Sequence, residues 1–266
     1  MRRASTCLAL LGLAAIGALG VPAISSAAPC SGAGPCPTVT LFAKAIPVPK
    51  VKGSGNCYGC AAAIEVKYTI NGTEGPGGVP SPLTKVTFFL PKGSIIHPAG
   101  FVTCKPEVLE GPIGPTACPN NSQASPLGSA NVAQKIGAET VKETATVQAF
   151  FAPGGGLEFY TNAGSPISAQ LIAATGHYVG ASGLYSQEFV SEVKLITTLP
   201  GAPPVSTESI NLKVGAAYKQ GKKWISYGTE PKKGQCPKGG YPIKSELTFE
   251  TGETVTASYK APCPKH

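Results

Sequence analysis

Eight of the nine cysteines fall into couples that are close together in the sequence, and this spacing constrains the fold more than any other feature. The four couples are Cys30 with Cys36, Cys57 with Cys60, Cys104 with Cys118, and Cys236 with Cys263. An even number of cysteines in an exported chain predicts a disulfide framework. Because eight cysteines permit many pairings, the local scheme of four neighbouring couples is a hypothesis.

The N-terminus has the features of an export signal. Two arginines precede an apolar run from Leu8 to Ile24, and the small residues that follow suit cleavage after Ala27. Glycines and a proline interrupt the run, whereas a membrane-spanning helix needs about 20 cleaner apolar residues. We therefore predict a signal peptide over residues 1–27, a secreted or cell-envelope protein, and no transmembrane anchor after cleavage. A retained anchor is the alternative.

The ionic composition excludes several kinds of site. The chain has no Asp, and its only two Arg residues lie in the predicted signal. Without Asp there is no Asp-rich calcium loop and no aspartic dyad. Without Arg there is no bidentate recognition of phosphate or guanine. We therefore predict no nucleic-acid partner and no cofactor.

The charge of the chain is nevertheless basic. Subtracting the two arginines from 22 basic residues leaves 20 lysines against 14 acidic residues, all of them glutamates. Lysines are most frequent after Pro200. Such an excess either attracts an anionic cell-wall polymer or glycan or only keeps the protein soluble.

Turn residues and alternating segments predict an all-β fold. The chain has 33 glycines and 26 prolines among 266 residues, which favours many turns and excludes long helices. Apolar and polar residues alternate, as in half-buried antiparallel strands, over Ile64–Ile70, Ile243–Phe249 and Val255–Tyr259. Further strands are predicted at Thr38–Ala45, Lys85–Leu90, Glu143–Phe151, Leu157–Asn162, Ile167–Ala173, Glu188–Thr198, Ser209–Ala216 and Trp224–Tyr227. About eleven strands at this spacing indicate a disulfide-stabilised antiparallel β-sandwich.

The predicted domain organisation has one main unit. Residues 28–60 form a Cys/Pro/Gly-rich N-terminal arm that includes the first strand, and residues 61–266 form a single sandwich domain. A sub-boundary at 199–204, where the sequence is Leu-Pro-Gly-Ala-Pro-Pro, is the alternative. We favour one domain because the part that follows has only about four predicted strands and would be marginal alone.

The C-x-x-C segment from Cys57 to Cys60 is the sharpest chemical motif. In thiol–disulfide enzymes the first cysteine of such a motif lies at a helix N-terminus, which lowers its pKa. Here the residues after Cys60 lead into the predicted strand Ala63–Ile70. We therefore interpret this couple as a structural disulfide, and a thiol–disulfide protein is an alternative function.

Candidate catalytic residues lack the partners that catalysis needs. Glu158, with Glu143 or Glu188, could form the paired carboxylates of a glycosidase. Their alternation with apolar residues is, however, typical of solvent-facing strand positions. No spacing groups the histidines with a glutamate as a general base or a metal ligand; they are His97, His177 and His266.

Aromatic residues suggest a binding surface. Trp224 is the only Trp and stands beside Lys222 and Lys223, with Tyr227 nearby, an arrangement that would suit a charged glycan. The simpler interpretation is that Trp224 anchors the core, as large aromatic side chains usually do.

Turn residues and cysteines in the middle and at the end of the chain form a recognisable pattern. It comprises Leu90-Pro91-Lys92-Gly93, His97-Pro98, Cys104, Cys118-Pro119, Ser122, Leu127-Gly128-Ser129-Ala130, and the segment from Cys236-Pro237 to Cys263. The pattern resembles large secreted β-sandwich proteins of high-GC Gram-positive bacteria. This resemblance implies a β-sandwich, supports the pairing of Cys104 with Cys118, and implies no known reaction.

The functional expectation is an exported, non-catalytic protein of the cell envelope or the extracellular space, with a structural or binding role. A secreted glycan hydrolase and a thiol–disulfide protein are the alternatives.

Overall fold

The computed structural model describes residues 36–264, so the predicted signal peptide, Cys30 and His266 lie outside the described residues. The first eight strands are β1 Thr38–Ile46, β2 Ala61–Asn71, β3 Leu83–Pro91, β4 Ile95–Ile96, β5 Gly128–Ile136, β6 Glu139–Phe151, β7 Leu157–Ala163 and β8 Ala169–Gly180. The others are β9 Tyr185–Val193, β10 Ser206–Val214, β11 Ala217–Gln220, β12 Lys223–Ser226, β13 Gly228–Thr229, β14 Tyr241–Phe249 and β15 Thr254–Ala261.

Among residues 36–264, helical structure is limited to two short turns in the connection between β4 and β5. These are α1, Pro106–Leu109, and a 3-10 turn, Gly114–Ala117. Within residues 36–264, no helix has the length and apolar character needed to cross a membrane. The all-β, antiparallel and disulfide-containing prediction is therefore confirmed.

The strands form because apolar and polar residues alternate along them. In β2, the side chains of Ile64, Val66 and Tyr68 face the interior, while Glu65 and Lys67 face outward. On this outer face the Glu65 carboxylate forms ion pairs with Lys44 Nζ at 3.1 Å and with Lys67 Nζ at 3.2 Å. The same period of two recurs in β14, whose inward residues are buried.

Eleven of the strands form one continuous antiparallel path. Neighbouring strands along it follow the order β1, β2, β10, β5, β6, β7, β8, β9, β3, β14 and β15. The first and last strands of this path lie next to each other. Across this junction the rings of Phe42 and Tyr259 are 5.2 Å apart, and inward residues of both strands share one buried cluster. The sheet thus curls into a nearly closed cylinder.

This arrangement differs from the predicted sandwich of two sheets. The strand path passes from β2 to β14 without a break between sheets, and only the hairpin of β11 and β12 stands apart. A sandwich and a curled sheet both bury one face of every strand, so the same alternation of residues is compatible with either. Strand order, which alternation does not encode, decides between them.

The largest buried cluster lies inside the cylinder along the junction between β1 and β15. It contains Leu41, Ile70, Leu247, Phe249 and Val255, which are almost fully buried. The Tyr68 hydroxyl lies 2.9 Å from Ser245 Oγ, which in turn donates to the Thr87 carbonyl at 2.9 Å. The junction is therefore filled by close packing and by a satisfied polar chain.

A second packing layer lies outside the cylinder. The connection that carries α1 places Leu109 and Cys104 on Phe150, Tyr160 and Ile172 of β6, β7 and β8. These three strands are consequently buried on both faces. The Cys104–Cys118 disulfide belongs to the same layer and closes the connection on itself.

Strand directions place all three described disulfides at one end of the cylinder. Because neighbouring strands are antiparallel, the connections 47–60, 92–127 and 215–240 emerge at the same end, as does the segment after β15. These segments contain the bonds Cys57–Cys60, Cys104–Cys118 and Cys236–Cys263. The bonds match three couples of the local pairing scheme. We call this end of the cylinder the disulfide end.

Loop length predicts that the bonds differ in their contribution to stability. Cys236–Cys263 spans 27 residues and Cys57–Cys60 spans 3, and longer loops lose more chain entropy on closure. We expect Cys236→Ser with Cys263→Ser to lower the free energy of unfolding by about 3–4 kcal/mol. The matched pair Cys57→Ser with Cys60→Ser should cost about 2 kcal/mol. Urea unfolding measures both, and a larger loss in the second pair would contradict this ranking.

Candidate ligand-binding cavity

The interior of the cylinder contains a cavity of about 300 Å³. All eleven strands of the closed path contribute inward side chains to its wall. The wall is mainly apolar, and representative side chains are Val66, Phe88, Val132, Val147, Phe189 and Leu212. A largely apolar cavity with few polar groups is the usual form of a small-molecule site.

Two tyrosines form part of the polar wall of the cavity. Tyr178 of β8 and Tyr227, just before β13, both line it, and their ring centroids are 6.1 Å apart. Burial raises the pKa of Tyr178 to about 12, and burial and the neighbouring Tyr178 raise that of Tyr227 further. The Tyr227 hydroxyl has no hydrogen bond of good geometry among the described residues. Both phenols are therefore neutral hydrogen-bonding groups at physiological pH.

Glu230 is the one carboxylate that lines the cavity within the described part of the chain. Glu230 is buried, with only 7% of its surface exposed. Backbone N–H groups of Asn56 and Cys57 donate to the carboxylate, but its Oε1 atom is buried without a partner. Burial raises the pKa of Glu230 despite these two donors. A buried carboxylate without a cation is costly to ionise.

Tyr241, the first residue of β14, is a further polar residue of the cavity wall. It is 5% exposed, and its hydroxyl is buried without a hydrogen-bond partner. Burial raises its pKa to about 12, with contributions from the negative charge of Glu230 and from Tyr58. Tyr241 and Glu230 are therefore close enough to interact through space.

The Cys57–Cys60 loop positions Glu230. The Glu230 amide donates to the Cys60 carbonyl at 2.8 Å, and the Gly59 amide donates to the Pro231 carbonyl at 3.0 Å. Asn56, one of the two donors to the carboxylate, has a left-handed φ of 56°. Gly55 before it must be glycine, because a Cβ there would meet the Pro47 nitrogen at 2.5 Å. The short disulfide thus fixes a backbone cradle for one carboxylate.

The structure separates the residues of the predicted aromatic and lysine surface. Trp224, Lys222 and Lys223 lie on the β11–β12 hairpin at the disulfide end, and Trp224 is 40% exposed. The interpretation of Trp224 as a core anchor is therefore wrong. Tyr227 is 2% exposed and faces the cavity instead. Trp224 stays exposed because its short hairpin stands apart from the main sheet.

The three glutamates considered for glycan hydrolysis lie on different strands, and Glu158 and Glu143 have separate partners. Glu158 is buried outside the cylinder, where Thr175 Oγ1 donates to it at 2.6 Å and burial raises its pKa. Glu143 accepts the backbone N–H groups of Gly164 at 2.6 Å and Ile167 at 3.2 Å. None of the three, including Glu188 of β9, lines the cavity.

The remaining candidates are the histidines and the C-x-x-C motif. His97 and His177 are exposed, and the His97 backbone amide donates to the Tyr227 carbonyl at 2.8 Å. Cys60 is followed directly by β2, in agreement with the strand predicted there. Among residues 36–264, no group of three His, Cys or Glu side chains is arranged to hold a metal ion.

Comparisons with known proteins add no assignment. No protein-family model, curated protein or solved structure matches the chain.

Sequence reasoning missed Glu230 and Tyr241. Glu230 stands in Gly-Thr-Glu-Pro, between turn residues, where a glutamate is usually solvated. Tyr241 follows two glycines and precedes the predicted strand Ile243–Phe249, and nothing in that context distinguishes its side chain from other aromatic residues. Only the folding of the 47–60 connection against residues 230 and 231 reveals the site.

Because ionisation of the buried Glu230 carboxyl is unfavourable, we expect the stability difference between the wild type and a Glu230→Gln variant to depend on pH. Because burial raises its pKa in the folded state, the folded protein loses stability as pH rises from the unfolded pKa through the folded one. At pH 7, Glu230→Gln should therefore raise the free energy of unfolding of the ligand-free protein by about 1 kcal/mol. Below about pH 4, where the carboxyl is protonated in both states, the difference should vanish.

Denaturant titrations at the two pH values measure this effect. Glu192→Gln is the control, because that side chain is 66% exposed. A stability loss at pH 7 in the Glu230 variant, or a gain that persists unchanged in acid, would contradict the assignment.

Proposed function

We propose that this chain is an exported, non-catalytic binding protein of the cell envelope that holds an apolar small molecule inside its curled sheet. The observation that carries the proposal is the cavity lined by all eleven strands of the closed path. Three disulfides among the described residues fit an oxidising compartment, which supports export.

The physical argument for a ligand starts from packing. Protein interiors are normally filled at crystal-like density, and unfilled apolar space costs stability. Here the buried cluster beside β1 and β15 fills part of the interior, whereas side chains do not fill the cavity that the eleven strands line. An apolar molecule in that space would regain the missing contacts.

A binding role fits the side chains of the cavity better than catalysis does. Glu230 is the one carboxylate among the described lining residues, so the wall lacks the paired acids of a glycosidase. The tyrosines beside it are neutral at physiological pH. Such groups orient a ligand without activating a nucleophile.

Filling the cavity tests this function. Ala130 is buried in its wall, and Ala130→Phe should lower the affinity for the fluorescent apolar probe N-phenyl-1-naphthylamine by about tenfold or more, because the added ring occupies ligand space. Ala138→Phe in the exposed β5–β6 turn is the matched control and should bind as the wild type does. Ala174→Phe, on another part of the wall, repeats the test if the first variant is unstable.

Probe titrations give a direct answer. Absence of probe binding to the wild type, or equal affinities in the Ala130 and Ala138 variants, would contradict the proposed function.

The disulfide end also supports a contact with an anionic envelope polymer. Its three long connections carry ten lysines and three glutamates. The lysines are Lys50, Lys52, Lys92, Lys105, Lys219, Lys222, Lys223, Lys232, Lys233 and Lys238. The connections at the opposite end carry Lys194 alone, with Glu74, Glu250 and Glu253. We infer that the basic end faces the polymer and attracts it without base or phosphate specificity.

This contact predicts retention on cell-wall material that falls as salt rises, since exposed charges are screened. Lys222→Gln with Lys223→Gln should weaken retention at low salt. Lys85→Gln with Lys135→Gln, at the other end of the cylinder, should not. Salt-independent retention, or stronger binding to anionic lipid vesicles than to wall polymer, would contradict a polymer contact.

A further inference from the structure

Two buried polar atoms of the cavity have no hydrogen-bond partner. Among the described residues, Glu230 Oε1 and the Tyr241 hydroxyl are buried and unpaired, and both residues line the cavity. Leaving a buried polar atom unpaired costs about 1–3 kcal/mol. Folded proteins keep few such atoms, so two in one cavity point to a function.

Backbone contacts hold Glu230 in place although one oxygen of its buried carboxylate is unpaired. Its backbone is fixed to Cys60 and its carboxylate is cradled by the amides of Asn56 and Cys57, within a loop closed by a disulfide. These contacts satisfy one side of the carboxylate and leave Oε1 free on a residue that lines the cavity. A rigidly held, unpaired acceptor is a preorganised binding group.

The polar atoms define the chemistry of the group that they would bind. Glu230 Oε1 accepts a hydrogen bond, and the Tyr241 hydroxyl can donate one. A hydroxyl group matches both, because it donates to the first and accepts from the second. A ligand carboxylate would instead meet the negative charge of Glu230, and a plain hydrocarbon would leave both groups unpaired.

We propose that the cavity binds an amphiphile with a terminal hydroxyl, whose apolar body lies among the strands and whose hydroxyl bridges Glu230 and Tyr241 at the disulfide end. This inference rests on the proposed function and assigns the ligand class, a neutral long-chain or polycyclic alcohol. Glu230 and Tyr241 determine specificity, and the Cys57–Cys60 loop positions Glu230.

The test compares two ligands with the same chain length by displacement of the bound naphthylamine probe at pH 8. Primary dodecanol donates and accepts a hydrogen bond, whereas the matching methyl ketone only accepts. Wild-type protein should bind the alcohol about tenfold or more tightly than the ketone, because the ketone leaves Glu230 Oε1 unpaired. Glu230→Gln presents an amide N–H₂ group in the cavity, so the preference should disappear or reverse.

Two tyrosine variants provide a matched comparison. Tyr241→Phe removes an unpaired hydroxyl that would donate to the ligand oxygen, and it should weaken the binding of both the alcohol and the ketone. Tyr68→Phe is the control, because Tyr68 also lines the cavity but its hydroxyl is already bonded to Ser245. The affinity for the alcohol should therefore stay at the wild-type value in Tyr68→Phe, and an equal loss in both variants would contradict the role of Tyr241.

The outcomes separate this inference from the proposed function. If the probe binds and Ala130→Phe abolishes binding, but alcohol and ketone bind equally in the wild type, the apolar site stands and the hydroxyl site is refuted. An unchanged alcohol preference in Glu230→Gln also refutes it. If no apolar molecule binds at all, the proposed function itself fails.

Discussion

The contact between the first and the last strand of the sheet is the constraint on which the rest of the structure depends. Without it, eleven antiparallel strands would form an open sheet with two unprotected edges and one exposed apolar face. With β1 beside β15, all the inward faces surround one space. Side chains fill that space along the junction. The cavity remains in the part of that space that side chains do not fill.

The three described disulfides and the buried carboxylate of the cavity lie together at the disulfide end. Its connections are rich in glycine and proline, and three disulfides close them in addition to apolar contacts such as that of Leu109 with β6, β7 and β8. The smallest of the bonds, Cys57–Cys60, closes the loop that cradles Glu230. The C-x-x-C spacing of Cys57 and Cys60 suggests redox chemistry, but in the structure this loop positions the buried carboxylate of Glu230. Lysines around this end give it a charge opposite to that of many envelope polymers.

The sequence predicts the strands well where large apolar residues alternate, as in β2, β14 and β15. It fails for β5, whose inward residues Ala130, Val132 and Gln134 are small or polar and give a weak alternation. Gln134 is fully buried because Pro203 and Thr198 satisfy its amide across a distant connection. Strand order, and with it the curled sheet, depends on such long-range contacts, so alternation alone led to a sandwich. The candidate site could not be predicted for the same reason, because the buried position of Glu230 depends on contacts with residues 56–60, which are distant in the sequence.

Locating a bound ligand in the protein is the most direct test of the central claim that the interior contains an apolar site. Isotope-filtered NMR with carbon-13-labelled dodecanol would identify the methyl groups that lie within nuclear Overhauser distance of its chain. We expect contacts to the cavity methyl groups of Val66, Val132 and Leu212, with the hydroxyl-bearing carbon nearest to Tyr241. Contacts confined to exposed apolar side chains such as Ile113 and Leu127 would contradict it.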